Sequence, residues 1–309
     1  MRQKDAGTPI VTNHIIRCFW CSLLALFFAL ISGCGVKRTV KVEMSPRLLN
    51  VKTATLDQLL DLLRENAERV TSLASNGLKV TFTSGKIESG KLEAYRSAPG
   101  YILLKRPGSL RLNVQNPITK TAVVELLSNQ DEFSIWYPRD NKFFLGKNSA
   151  RELDLGKAPS FTARPIHIFE AIMPKPIALN QPDLRVALEE DQDSRDKYYV
   201  LSFYRNGDGR RLFPLLRIWI ERFDLTVARE QTFGERGQVE GDVHYSSRSL
   251  IEGLMLPLSI KMIRPEDGYS LEFQFKNWRV NPDLPPDAFS MAPPPGAERI
   301  LLKEKKAGE

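Results

Sequence analysis

Tyr101-Ile102-Leu103-Leu104-Lys105-Arg106-Pro107-Gly108-Ser109-Leu110-Arg111-Leu112-Asn113-Val114 reads as strand, turn and strand. Leu110, Leu112 and Val114 alternate with polar neighbours, the period of a pleated strand with one buried face. Arg106-Pro107-Gly108 supplies the turn, and Asn116-Pro117 closes the second strand. The pattern extends outward on both sides. Leu78, Val80 and Phe82 alternate ahead of it, and 86–95 reads as a further strand. Segments 121–127, 133–137 and 142–145 follow it. After an interruption come 184–188, 198–205, 211–221, 224–233, 240–248, 257–264 and 269–278. Asn206-Gly207-Asp208-Gly209 and Asp267-Gly268 mark hairpins between them. Short strands with tight connections predict an antiparallel meander, roughly eleven to thirteen strands in one sheet. A sheet of that size must curl or close.

Two stretches depart from the two-residue period. In 55–76, Leu56, Leu59, Leu60, Leu63, Ala67, Val70, Leu73 and Ala74 fall on one helical face. Thr55 with Gln58 fits a capping box, and Asn76-Gly77 fits a helix stop. The opposite face mixes Asp57, Asp61 and Glu65 with Arg64 and Arg69, so the helix is expected to pack on the sheet. Residues 150–182 carry Pro159, Pro165, Pro174, Pro176 and Pro182 around the apolar piece 166–173, read as a short helix covering core or cavity. Alternation puts apolar residues inside either way, whether the interior is packed or hollow.

Ahead of the meander, Arg2, Lys4 and Arg17 precede an almost wholly apolar run, 18–33, that ends in Ile31-Ser32-Gly33-Cys34. A spanning helix needs about 20 apolar residues, so this run suits a signal segment better than a permanent anchor. Ile-Ser-Gly-Cys resembles a lipobox: an aliphatic residue, two small residues that enter the peptidase, and a thiol that receives the lipid. The expectation is a signal peptide over 1–33, Cys34 as the lipidated first residue, a tether over 34–54 and a charged tail over 298–309. Cys18 and Cys21 leave with the signal, so the mature chain forms no internal disulfide. The formal charge of +7 falls to about +5 without residues 1–33, spread along the chain and with no basic block for nucleic acid.

Reactive constellations are not evident. His167 and His244 sit in no metal-ligand spacing, and no Gly-x-Ser-x-Gly elbow or phosphate-binding glycine loop occurs. Acylation of Cys34 leaves no catalytic thiol. Glu189, Glu190, Asp191, Asp193 and Asp196 lack the spacing of a calcium loop and include Arg195, which fits a solvated hairpin. The residues are read as those of a non-enzyme with no metal or cofactor beyond the covalent diacylglyceryl and N-acyl lipid on Cys34.

The 104–112 hairpin, Phe133-Ser134-Ile135-Trp136-Tyr137-Pro138, and the ending Leu284-Pro285-Pro286-Asp287-Ala288-Phe289 with Pro293-Pro294-Pro295-Gly296 resemble the LolA/LolB-like lipoprotein-localisation factors. The likeness spans most of 55–297. It departs at Ser128-Asn129-Gln130-Asp131, where those factors have a glycine turn, and in the 150–182 insert. The resemblance implies an α+β, mainly β fold: an unclosed antiparallel β-barrel of about eleven strands with an N-terminal helix and a helical lid. It implies acyl-chain binding without reaction, with lipoprotein or lipid cargo and a soluble periplasmic carrier as partners. Arg106 matches the arginine that contacts the lid, and Ile118 matches the apolar residue of a membrane-touching loop. Lipidation at Cys34 selects the anchored, LolB-like role over the soluble one. Gly35, where an aspartate would retain a lipoprotein at the inner membrane, favours the periplasmic face of the outer membrane. The alternative is a structural or assembly lipoprotein that acts through protein contacts.

Overall fold

Thr55 opens the helix that the sequence marks most clearly. Its Oγ1 accepts the Gln58 amide at 3.3 Å, and Gln58 Oε1 accepts the Thr55 amide at 2.9 Å, closing the capping box. The computed structural model describes residues 46–85, 93–94, 97–150, 153–154, 163–176 and 181–304. The signal segment and Cys34 lie outside them. Residues 44–309 form one unit.

In chain order the helices are α1 (Pro46–Leu49), α2 (Leu56–Arg69) and α3 (Pro165–Ile172). The first strands are β1 (Ser72–Ser84), β2 (Glu93–Ala94), β3 (Ala98–Lys105), β4 (Ser109–Gln115), β5 (Ala122–Asn129), β6 (Glu132–Tyr137), β7 (Lys142–Lys147) and β8 (Leu153–Asp154). After α3 come β9 (Leu184–Gln192), β10 (Lys197–Asn206), β11 (Leu212–Glu221), β12 (Val227–Phe233), β13 (Val239–Ile251), β14 (Leu254–Arg264) and β15 (Tyr269–Phe275). β16 (Arg279–Val280), a 3₁₀ turn (Pro286–Phe289), β17 (Glu298–Leu301) and β18 (Lys303–Glu304) complete the chain.

β1 is the spine. β3 to β7 run outward from one side of it, each antiparallel to the last, and β17 adds parallel to β7. The chain then passes through α3 to the far edge and builds inward from β9 to β15, which pairs with the other side of β1. The result is a 16-stranded open sheet with helices on one face, the unclosed half-barrel expected, with more strands than the eleven or so expected because the short strands β2 and β16 and the tail strand β17 join it.

One face, the inner one, is apolar along both wings and is covered in two halves. Leu59 and Leu63 of α2 pack with Tyr199, Leu201 and Phe203 of β10 and Ile218 and Ile220 of β11. Ile168, Phe169, Ala171, Ile172 and Met173, on and just after α3, pack with inner residues of β3 to β7 and β13 to β15. The outer face of β4 and β5 is covered by the proline-rich tail, where Arg111 bonds Glu125 and the Ala288 carbonyl.

Three boundaries differ from the sequence reading. α2 stops at Arg69 rather than running to 76. Val70, Leu73 and Ala74 continue its apolar face, but pairing of β1 with β3 and β16 claims Leu73 and Ala74 for the sheet. Asn76-Gly77 lies at a break in the β1–β3 register, where a Cβ on Gly77 would sit 2.9 Å from Lys276 Cβ. Residues 46–54 dock rather than hang as a tether: Arg47 pairs with Asp196 and Glu221, and Tyr199 Oη accepts the Ala54 amide at 3.0 Å. Glu221 is shared with Arg248 at 2.9 Å. In the charged tail, β17 joins the large sheet beside β7, and β18 pairs with β8 in a separate two-stranded sheet.

Because Leu59 is fully buried between α2 and β10–β11, Leu59→Ala is expected to destabilise the fold by about 2–5 kcal/mol. Exposed Glu65→Ala on the same helix should stay within about 0.5 kcal/mol. Urea midpoints for the two variants check this.

Candidate functional site

α3 is eight residues long, almost wholly apolar, and starts with Pro165 in the first turn, where a missing N–H leaves no lost bond. No side chain caps it, and too few residues are present for such a helix to persist alone in water. The sheet holds it there. Ile168 is fully buried, and Phe169, Ala171, Ile172 and Met173 are nearly so.

Few polar contacts tie this plug to its surroundings. Tyr245 Oη donates to the Ala171 carbonyl at 3.0 Å, and His167 Nδ1 meets Tyr269 Oη at 3.0 Å. Arg164, just before the helix, donates to the Asn148 carbonyl at 2.8 Å. After it, the Pro174 carbonyl accepts from Arg106. Arg106 also donates from Nε to the Val70 carbonyl at 2.8 Å and from its Nη2 to the Ala67 carbonyl at 3.2 Å. One half-buried guanidinium therefore joins the C-terminal end of α2, where carbonyls lack helical partners, to the exit of α3.

His167 is held neutral. Burial, then the charges of Arg264, Arg164 and Lys175, pull its pKa down to about 2. Tyr269 and Tyr245 are pushed the other way by burial. Beneath the end of α3 lies a cavity of about 20 Å³ bordered by His167, Glu170, Lys175, Glu230, Thr232 and Arg264 among others, room for about one water. A larger cavity of about 270 Å³ lies between β5–β7 and the tail, against Phe289, Met291 and Pro293. With α3 seated, the inner face beneath it is lined by buried apolar side chains of β4, β5 and β14.

Of the residues singled out from sequence, Arg106 lies at the α2–α3 junction. Ile118 is 87% exposed in the turn between β4 and β5, where Asn116 Oδ1 accepts the Ile118 and Thr119 amides at 2.8 and 3.1 Å. β4 separates that turn from the turn of Arg106, about 23 Å at about 3.3 Å per residue, so the two lie at opposite ends of the strands. Cys34 lies outside the described residues. His167 is packed against Tyr269, and His244 Nε2 lies 3.2 Å from Asp242 on the outer face. The acidic stretch turns β9 into β10, with Asp193 accepting the Arg195 and Asp196 amides and the Tyr198 hydroxyl. Tyr245, Tyr269, Lys175 and Glu230 were not singled out; each sits on a strand or loop where sequence shows no motif.

Residues 254–303 match a family described as "Predicted periplasmic protein (DUF2092)". No curated protein matches the chain. Among solved structures it is similar to a DUF1329 family protein from Desulfovibrio piger: 13% identity, TM-score 0.47, covering 77% of this chain and 98% of that one. It is also similar to a LolA superfamily protein from Nitrosomonas europaea, at 15% identity, TM-score 0.44, and coverage of 75% and 97%. A putative outer membrane lipoprotein-sorting protein domain from Vibrio parahaemolyticus gives 12%, 0.46, and 74% and 95%.

A base whose pKa is depressed in the folded state takes up a proton only on unfolding. Between about pH 6.5 and 2 the unfolded chain binds one more proton at His167, so stability is lost as pH falls through that window. His167→Gln, which keeps a partner for Tyr269, should flatten the loss between pH 7 and 4 relative to the parent. Urea unfolding across that range tests it; parallel curves would show that His167 is charged when folded.

Proposed function

We propose that this chain is a lipid-anchored periplasmic protein that takes acyl chains of lipoproteins or another lipidic cargo onto its inner face and hands them to the outer membrane without catalysis. The carrying observation is the plug. The apolar inner face is filled by a separate eight-residue helix tied down by few hydrogen bonds, rather than by the sheet's own side chains alone. Displacing α3 would uncover apolar surface on the strands it contacts, β4, β5 and β14, where Leu110, Leu112, Leu126 and Ile260 are fully buried, a surface suited to an acyl chain. In this reading Arg106 is the latch, since it grips both α2 and the exit of α3. Cys34 carries the lipid, and Ile118 is the bilayer-touching tip.

A second reading, assembly through protein contacts, is favoured by the outer face of β11 and β12. There Arg217 lies 5.8 Å from the Trp219 ring and 5.9 Å from Phe233, and Arg229 lies 4.7 Å from Trp219. Arg and Trp are the residues that dominate protein interfaces.

The carrier reading expects protein purified without delipidation to carry lipid in native mass spectrometry, and Cys34→Ala to lose palmitate labelling in cells. Arg106→Ala should speed amide exchange in α3 while leaving β10 protected. Folded protein that carries no lipid and takes up no fluorescent fatty-acyl probe would overturn the carrier reading in favour of the second.

A further inference from the structure

The register of the sheet aligns one row of inner-face residues across eight strands. It runs Leu188, Leu201, Ile218, Glu230, Val243, Met262, Leu271 and Phe82, each directly paired with the next. Seven members are apolar and one is a carboxylate. Glu230 is 9% exposed and makes no hydrogen bond or ion pair among the described residues. It stands at the seam between the half covered by α2 and the half covered by α3, since Ile218 belongs to one apolar cluster and Val243 to the other. It borders the 20 Å³ cavity together with Lys175 and Glu170.

A lone carboxylate in such a row is destabilising unless a cation or donor faces it. With the plug seated, Lys175, one residue beyond the Pro174 carbonyl that Arg106 holds, borders the same small cavity and places a cation near the carboxylate without forming an ion pair with it. Burial pushes the Glu230 carboxyl up, and Lys175 opposes the shift. Displacing α3 also displaces the segment that carries Lys175. The carboxylate then faces the vacated apolar surface beside Thr232 and Arg264, which stay on the sheet, and an occupant with a donor at its polar end replaces the charge that Lys175 placed there.

We propose that Glu230 is the head-group anchor of the inner face, and that the cargo is an acyl amphiphile whose polar end is cationic or donates N–H hydrogen bonds, rather than an anionic fatty acid. The proposal rests on the acyl-chain reading and adds the chemistry of the polar end. Lys175 in the closed state and the cargo's ammonium or amide in the open state alternate as the positive or donor group nearest one carboxylate. Cargo entry and plug displacement are thereby linked, because each removes the need for the other.

The test uses the full chain in nanodiscs of zwitterionic lipid and two diazirine-bearing probes of equal chain length, one a primary amine and one a carboxylate. Crosslinked peptides are mapped by mass spectrometry. The amine probe should label inner-face peptides of β11 to β15 at least about tenfold more than the carboxylate probe, as expected for a desolvated charge-assisted contact. Glu230→Gln, nearly isosteric, should bring that ratio within about threefold, and comparing the two proteins removes any difference in bilayer partition. Equal labelling of the parent, or a preference unchanged in a folded Glu230→Gln, overturns this proposal alone. Absence of inner-face labelling by either probe overturns both it and the acyl-chain reading.

Discussion

A sixteen-stranded open sheet with one apolar face must have that face covered, and the rest of the molecule follows from how it is done. No closed barrel removes the problem, and the other sheet among the described residues, β8 with β18, has only two short strands. Two helices divide the work. α2 is long, capped at its start by Thr55 and Gln58, and amphipathic, so it is a permanent cover for β10 and β11. α3 is short, uncapped by any side chain and apolar nearly all round, so it exists only where the sheet encloses it. In the carrier reading, the asymmetry of the two covers makes one half of the inner face fixed and the other exchangeable.

Arg106 and Glu230 mark the two boundaries of the exchangeable half. Arg106 satisfies backbone carbonyls of α2 and of the α3 exit with one guanidinium, so the movable helix is referenced to the fixed one. A lysine there would lack the planar fork needed to reach carbonyls on separate segments. Glu230 lies where the covers meet, and its field reaches Lys175, Glu170 and Tyr245. Polar groups thus lie mainly at the rim and seam of the plug, and within its body polar contact comes from His167 with Tyr269 and from the Ala171 carbonyl with Tyr245.

Strands were legible because each carries its own period, as Leu271, Phe273 and Phe275 do in β15. Turn chemistry was legible for the same local reason, as in Asn206-Gly207. The end of α2 was not, because Leu73 and Ala74 suit a helical face and a strand equally, and only long-range pairing with β3 and β16 decides between them. Docking of 46–54 was hidden because Arg47 finds partners about 150 residues away, in Asp196 and Glu221. Glu230 was hidden for a related reason. Within Arg229-Glu230-Gln231 it looks like an ordinary polar position, and only the registers of seven neighbouring strands reveal that it interrupts an apolar row. Sequence shows periods within a strand and is silent about rows across strands.

The exchange of α3 for another apolar body is physically reasonable on scale alone. Burial of an Ile, Phe or Met side chain contributes about 1.5–3 kcal/mol. Ordering one residue of backbone opposes it by about 1–2 kcal/mol. For a helix this short the two are comparable, so in the carrier reading the plug sits near balance and its few hydrogen bonds favour the closed state. An acyl chain that refills the same surface regains about 0.8 kcal/mol per methylene while ordering far fewer torsions than eight residues of peptide. The sheet therefore does not need a permanent cavity to be a carrier. It needs a cover whose own stability is borrowed from the surface it hides, and α3, fully dependent on β4, β5 and β14 for its structure, is such a cover.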